Sequence, residues 1–178
     1  SRRVFKYLDL AGKEIVKKAK ANLSKKSASG KLLNSIDYKV VTTNEGYAVQ
    51  FSMADHGKFV DKGVSGTKTR RMSWNIVNNK LIKKKSLFSY KRGVGNSPNI
   101  GALEKWISAK GIKGRDDLGR FIKTKSLAYL FSKSIQREGL KGTGFFTKSV
   151  FNEIQNIPEG LAYAFAEDVR EDIRELKK

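Results

Sequence analysis

The stretch that decides the fold is NSIDYKVVTTNEGYAVQFSM, residues 34–53. It contains two runs in which apolar and polar residues alternate, the pattern of a β-strand with one buried face. The TTNEG between the runs supplies the asparagine and glycine that are typical of a turn, so we expect an antiparallel hairpin. Its apolar positions are Ile36, Tyr38, Val40, Tyr47, Val49, Phe51 and Met53.

Upstream of the hairpin, residues 2–23 predict one long amphipathic helix. Their apolar residues recur at helical spacing, while the lysines fall largely off that stripe. The polar SKKSASG that follows, residues 24–30, predicts a loop. The stripe that we expect to face the core is Val4, Leu8, Ala11, Ile15, Ala19 and Leu23.

Directly after the hairpin comes GKFVDKG, residues 57–63, preceded by His56, the single histidine of the chain. One interpretation is an active-site loop in which Asp55 or Asp61 orients His56 as a general base. Adjacent residues of an extended chain point to opposite faces, and no second histidine or nucleophile-elbow serine accompanies His56. We therefore favour a surface or interface position for His56 and expect no catalytic residues.

In the favoured interpretation, GKFVDKG is a turn that ends the second strand. Phe59 and Val60 then pack into the core, and Gly63 provides a positive φ where the chain leaves the sheet. Asp61 forms a turn contact or an intersubunit contact.

The next segment, about residues 64–98, is a basic extended excursion. It holds nine lysines and arginines and no acid, and its run of three lysines suits phosphate contact without base readout. Trp74, Phe88 and Tyr90 either stack on single-stranded bases or, as we favour, anchor the segment to the core or to a neighbouring subunit. The side chains expected to face DNA or a neighbouring subunit are Lys68, Arg70, Arg71, Lys83, Lys84, Lys85, Lys91 and Arg92.

Helical spacing returns in an insertion at about 99–140. Asn99 is placed to cap a helix at 100–110, a second helix covers about 125–138, and a glycine follows each. The residues expected to face inward are Leu103, Trp106, Ile107, Leu127, Leu130, Phe131 and Ile135.

Asp116 and Asp117 lie between these two helices. Together with Asp55 and Asp61 they offer carboxylates to a divalent cation, but a two-metal nuclease site needs three or more convergent acids. We favour helix capping for Asp116 and Asp117, and we expect no metal site.

Two helices complete the chain. One covers FFTKSVFNEI, residues 145–154, and the other begins at Pro158 and runs to about residue 176. The second has an apolar stripe of Leu161, Phe165, Val169, Ile173 and Leu176. Acids fill most of its remaining surface, and those expected to contact a neighbouring subunit are Glu167, Asp168, Glu171 and Asp172.

Composition limits the class of protein. The chain has 178 residues, 39% of them hydrophobic, which suits one domain over 1–178. No apolar run approaches the ~18 residues of a membrane span and no secretory leader opens the chain, so we expect a soluble protein made in a cytoplasm. The absence of cysteine excludes disulfides, thiolate metal sites and cysteine nucleophiles.

Charge is distributed unevenly. The formal net charge is +20, with +23 in residues 1–150 and −3 in residues 151–178. Self-repulsion at this charge disfavours close association of copies unless a polyanion or an acidic surface neutralises it. A basic body joined to an acidic last helix suits head-to-tail packing of identical subunits.

The order of these elements and motifs resembles the tail-completion, or head–tail joining (neck), proteins of tailed bacteriophages. Leu33, Ser35 and Ile36 match one strand of that family, and Tyr47 and Ala48 match the strand that pairs with it. The family's turn motif corresponds to Phe59, Val60, Asp61 and Gly63, and its late aromatic motif to Phe145 and Phe146. The resemblance covers most of residues 1–156.

The resemblance implies an α+β fold with a small, mostly antiparallel β-sheet packed on a long N-terminal helix, plus a helical insertion and a C-terminal helix. It implies a virion structural protein without catalytic activity or cofactor, assembled in the host cytoplasm. Its partners would be copies of itself in a ring, the portal, connector and tail proteins beside it, and DNA passing through the channel.

Two alternatives remain open at the level of sequence. The first is a stand-alone, non-specific nucleic-acid-binding protein whose contacts come from the basic excursion. The second is a small basic nuclease or toxin built around His56 and the aspartates.

Overall fold

The computed structural model describes residues 2–24, 30–93 and 95–176. The predicted loop at 24–30 lies, apart from its two end residues, outside the described residues. In chain order the elements are α1 (Arg2–Ser24), α2 (Gly30–Ser35), β1 (Asp37–Thr43), β2 (Gly46–Ser52), α3 (Gly57–Lys62), β3 (Gly63–Ser65), β4 (Met72–Val77), β5 (Lys80–Lys85), α4 (Ile100–Ala109), α5 (Thr124–Glu138), β6 (Gly139–Lys141), α6 (Phe145–Ile154) and α7 (Ile157–Leu176).

The fold is α+β, as the sequence predicts. The strands of the described residues form three two-stranded sheets, β1–β2, β3–β6 and β4–β5, rather than one small sheet. Contacts between residues divide the chain into two compact units. Unit 1 is Ser1–Asp61, Trp74–Ile82 and Gly144–Lys178, and unit 2 is Lys62–Ser73 and Lys83–Thr143.

The predicted hairpin and the predicted N-terminal helix are both confirmed in unit 1. The strands β1 and β2 pair antiparallel with Tyr38 opposite Phe51, and both rings pack against the core. Helix α1 contacts this hairpin, α6 and α7. The buried core that results consists of Val16, Ala19, Leu23, Leu32, Ile36 and Phe145.

Gly12 lets the hairpin approach α1 closely. A Cβ atom at this position would lie 2.4 Å from Cδ2 of Tyr38 and 3.1 Å from Cγ1 of Val49. Any larger residue would therefore force the Tyr38 ring, or the helix itself, to shift.

Unit 2 has its own core between α4 and α5, made by Ile107, Leu127 and Ala128. Oδ1 of Asn99 accepts a hydrogen bond from the Ala102 amide at 2.9 Å, which confirms the predicted cap of α4. The prediction that Trp106 and Leu130 face inward is wrong, since 42% of Trp106 and 52% of Leu130 is exposed.

The basic excursion at about 64–98 contains strands β3, β4 and β5. Strand β3 pairs antiparallel with β6, with Val64 opposite Leu140. Asn78 and Asn79, between β4 and β5, have φ of 47° and 55°. Positive φ at both central residues is the signature of a tight two-residue hairpin turn, and asparagine tolerates it best among residues with a Cβ.

Candidate functional site

GKFVDKG forms helix α3 rather than the predicted turn at the end of a strand. The amides of Phe59 and Val60 both donate hydrogen bonds to the carbonyl of His56, and the helix begins after a connection of four residues from β2. Val60 packs against the core of unit 1 as expected, but the prediction of a buried Phe59 is wrong because its side chain is 38% exposed.

Asp61 is the buried polar centre of this segment, with 4% of the residue exposed. Its Oδ1 accepts hydrogen bonds from the amides of Phe146 at 2.8 Å and Thr147 at 3.1 Å. Its Oδ2 accepts the hydroxyl proton of Thr147. These are amides of the first turn of α6, which have no carbonyl partner within their own helix.

The carboxylate of Asp61 therefore caps α6 from a distant part of the chain. The residue that formally precedes α6 is Gly144, which has φ of +64° and no side chain with which to cap it. Negative charge at a helix N-terminus is also favoured by the helix dipole. Asp61 is thus neither the turn contact nor the intersubunit contact that the sequence suggested.

The main chain reinforces the same junction. The Gly144 amide donates to the Asp61 carbonyl at 2.9 Å. Asp61 is the last residue of one segment of unit 1, and Gly144 is the first residue of another. This hydrogen bond therefore joins the end of one segment of unit 1 to the start of another.

The late aromatic motif begins α6 and builds the core. Phe145 is almost fully buried, and the ring of Phe146 meets that of Phe51 edge-on at 5.3 Å. Thr147, which sequence reasoning missed, adds the third hydrogen bond to Asp61. Thr147 could have been found from the sequence, because it is a hydroxyl residue in the first turn of a helix whose N-cap residue, Gly144, has no side chain.

Gly63 follows α3 and begins β3. Its φ of +75° confirms the predicted positive value. A Cβ atom there would lie 2.4 Å from the amide nitrogen of Gly142, so the site also demands glycine for close approach of β6.

The candidate basic residues all belong to unit 2, and their side chains are exposed with one exception. Arg71 is half-buried and donates from Nε to the carbonyl of Glu138 at 2.7 Å, so it fixes the local structure. The exposed members are Lys68, Arg70, Lys83, Lys84, Lys85, Lys91 and Arg92.

Charge is concentrated in unit 2. It carries 19 lysines and arginines against 4 acids, a formal charge of +15, whereas unit 1 carries 18 against 13, or +5. The strongest positive field of the chain therefore belongs to the smaller unit.

The three aromatic residues singled out in the excursion are half-buried within their own chain. Trp74 is half-buried, and Nζ of Lys148 on α6 lies 4.6 Å from the centre of its ring. Tyr90 is also half-buried, and this burial raises the pKa of its phenol above the ordinary value. The main chain on either side of Ser89 pairs with Ser65 through a parallel bridge.

Three of the four acids predicted to contact a neighbouring subunit are used within unit 1. Asp168 is 7% exposed and accepts hydrogen bonds from the first amides of α1, those of Arg3 at 3.1 Å and Val4 at 3.3 Å. Arg3 also forms ion pairs with Glu167 and Glu171. The fourth acid, Asp172, is exposed.

The apolar stripe of α7 does not face the core. Residues Phe165, Val169 and Ile173 are 58%, 39% and 48% exposed. Helix α7 instead contacts α1 through Gly160, Ala164 and Asp168: a Cβ atom at Gly160 would lie 2.2 Å from the hydroxyl of Tyr7.

The remaining candidate catalytic residues occupy different surroundings. His56 is exposed, while Asp61 is engaged with α6. Asp116 closes a turn through hydrogen bonds from the amides of Leu118 and Arg120, so the predicted helix cap is wrong for this residue. Within residues 2–24, 30–93 and 95–176, no three metal-ligating side chains converge.

Comparisons of the chain with protein families, with curated proteins and with solved structures find no match. Among the helices that the structure describes, none is long and apolar enough to cross a membrane.

Proposed function

We propose that this chain is a structural protein of the tailed-phage neck, a ring-forming adaptor that joins the portal or connector of the head to the tail around the DNA channel. The observation that carries the proposal is the hydrogen bonding of Asp61. The turn motif and the late aromatic motif carry the family resemblance, and they meet in buried contacts 85 residues apart in sequence.

This contact gives the motif residues a common physical role. Asp61 holds the start of α6, Val60 and Phe146 pack against the core, and Phe145 lies within it. These residues hold the fold together, which is the role expected of motif residues in an adaptor that has no active site.

The surfaces of the two units supply what a ring around DNA requires. Unit 2 presents exposed lysines and arginines at a charge of +15, which would tolerate passing phosphates without reading sequence. Helix α7 presents exposed apolar side chains of the kind that mark protein–protein contacts. The protein would then reside in the virion and pass through the host cytoplasm during assembly.

The decisive experiment is imaging of phage particles that lack this protein. We expect DNA-filled heads and separate, complete tails, and we expect purified protein added in vitro to restore joined particles. In these restored particles, cryo-electron microscopy should place a ring of this chain between portal and tail.

The control is the variant Asp55→Ala, which removes an exposed carboxylate six residues before Asp61 and should restore joining fully. Stable, joined, DNA-filled particles in the absence of the protein would refute the proposal.

A second candidate is a stand-alone protein that binds nucleic acid without sequence specificity, acting through Arg70, Lys83–Lys85, Lys91 and Arg92. The concentration of positive charge in unit 2 favours it. A closed ring in solution would favour the adaptor over this candidate, because a stand-alone binder requires no ring.

A further inference from the structure

The outer face of α7 is an apolar stripe with acids at its edges. Arg170, three residues before Ile173, also borders it and is ion-paired with Glu167. Phe165, Val169 and Ile173 are spaced four residues apart, so they align along one side of the helix. Asp172 comes three residues after Val169, and Glu159 comes three residues before the exposed Ala162, so each acid lies at an edge of the stripe. Over its whole length α7 carries six acids and two arginines.

Unit 2 offers a groove with the opposite charge. A cavity of ≈ 430 Å³ lies beside α5, lined by Ile100, Lys125, Ser126, Tyr129 and Leu130. A second cavity of ≈ 630 Å³ shares Ile100 and Tyr129 and adds Lys133. Tyr129 and Leu130 are 49% and 52% exposed, so two neighbouring positions of α5 present apolar surface to solvent.

Lysines border this groove as acids border the stripe. Lys125 lines the first cavity and Lys133 the second, where its Nζ lies 5.6 Å from the centre of the Tyr129 ring. The groove belongs to a unit of charge +15. An apolar floor with a basic rim is the complement of an apolar stripe with acidic edges.

We propose that the stripe of α7 docks in the α4–α5 groove of a second copy of this chain. The inference rests on the proposed ring-forming function and names the two surfaces that meet. Phe165, Val169 and Ile173 would contact Ile100, Tyr129 and Leu130, with Asp172 and Glu159 near Lys125 and Lys133.

The charges favour this pairing over the symmetric one. Two α7 helices placed stripe to stripe would bring their acids together, and two grooves would bring their lysines together. A stripe in a groove is a heterologous contact, which leaves one free stripe and one free groove at the ends of every open assembly. Such contacts continue until a ring closes or a filament grows.

The absence of cysteine from the chain makes a clean cross-linking test available. One preparation carries Ile173→Cys and a tag, and a second, untagged preparation carries Leu130→Cys. After mixing and mild oxidation, we expect a disulfide-linked heterodimer that contains both species. Because each chain then has a single cysteine, this product can form only between copies.

The matched control replaces Ile173→Cys with Arg174→Cys, an exposed position on the other side of α7. The inference would be overturned if the yield of disulfide-linked heterodimer with Leu130→Cys were no higher for Ile173→Cys than for Arg174→Cys. A chain that carries both cysteines and closes its disulfide within a monomer would overturn it as well.

A second variant tests the energetics without a cross-link. The double substitution Phe165→Ser and Ile173→Ser should weaken self-association about 100-fold, tenfold for each apolar anchor, in analytical ultracentrifugation. Circular dichroism and thermal unfolding should change little because both side chains are exposed. The control is Leu87→Ser, a 91% exposed leucine outside both surfaces.

The outcomes also separate this inference from the proposed function. A wild-type protein that stays monomeric, or serine variants that associate as tightly as wild type, would overturn the docking of α7. The neck function would still stand if particles without the protein failed to join.

Discussion

The buried carboxylate of Asp61 caps the start of α6, where the Phe146 amide that it binds lies 85 residues away in sequence. We predict that Asp61→Ala lowers the free energy of unfolding by about 3 kcal/mol, because two amides and one hydroxyl would lose their acceptor inside the protein. Asp61→Asn should cost less, since the amide oxygen remains an acceptor. Urea unfolding followed by circular dichroism measures both changes.

The control for Asp61 is Asp55→Ala, where the lost carboxylate is exposed and the expected change is within about 0.5 kcal/mol. Equal stabilities of Asp61→Ala and Asp55→Ala would contradict the capping role. Loss of stability in both variants would indicate that charge near α3, rather than the cap on α6, is what matters.

Asp116, in unit 2, is a second carboxylate that accepts backbone hydrogen bonds, and its contribution to stability depends on pH. Hydrogen bonds from the backbone and side chain of Arg120 and from the Leu118 amide hold the pKa of its carboxyl below the ordinary value of 3.8. A lowered pKa in the folded state means that the ionised carboxylate stabilises the turn above pH ~4, and this contribution is lost as pH falls through the folded pKa.

We expect a carboxyl-carbon NMR titration to show Asp116 ionised below its ordinary pKa. In Arg120→Ala, which removes the Nε donor, the midpoint should move upward toward the ordinary value. A midpoint that stays in place would assign the shift to the backbone amides alone.

At the scale of elements, the fit between α1 and the hairpin depends on Gly12. Replacing glycine by alanine inside a helix normally stabilises it by up to ~1 kcal/mol. Here the new methyl would overlap the ring of Tyr38, so we predict that Gly12→Ala destabilises the protein by about 1–3 kcal/mol. Thermal unfolding measures the change.

Gly30→Ala is the comparison for Gly12. Its new Cβ would lie 3.7 Å from Nδ2 of Asn34, which is an ordinary contact, so the unfolding temperature should be unchanged or slightly higher. If both substitutions stabilise the chain, the close packing of α1 on the hairpin is not a constraint.

The elements with the clearest periodicity could be predicted from the sequence. Alternation located β1 and β2, and helical spacing located α1, because each buries one face against a neighbour. The Asn99 cap and the glycines after α4 and α5 were predictable because their signals are local. The candidate site was not, because Asp61 caps α6 across 85 residues and no local pattern marks its partner.

Helix α7 shows a different limit of sequence reasoning. Its apolar stripe was read correctly as a helical signal, yet the face that contacts α1 contains Gly160, Ala164 and Asp168. Small residues allow close approach, and Asp168 satisfies amides at the start of α1. The rule that apolar residues face the core of their own chain therefore fails for Phe165, Val169 and Ile173.

At the scale of the whole molecule, the division of charge matters more than the total. Unit 2 carries +15 of the net +20, and β5 contributes the exposed run Lys83–Lys85. A cation that contacts a DNA phosphate releases a counterion, so the salt dependence of binding counts such contacts.

We predict that the triple variant Lys83→Gln, Lys84→Gln and Lys85→Gln binds duplex DNA more weakly at low salt and flattens the slope of log K against log salt by about 2–3. The matched control neutralises three exposed lysines of unit 1, Lys6, Lys13 and Lys39, with the same change in net charge. Fluorescence anisotropy across a salt series measures both slopes. The two variants have the same net charge. A larger change of slope in the β5 variant would therefore show that these lysines contact DNA. Equal changes of slope would show that only the overall charge matters and would contradict a DNA-facing role for β5.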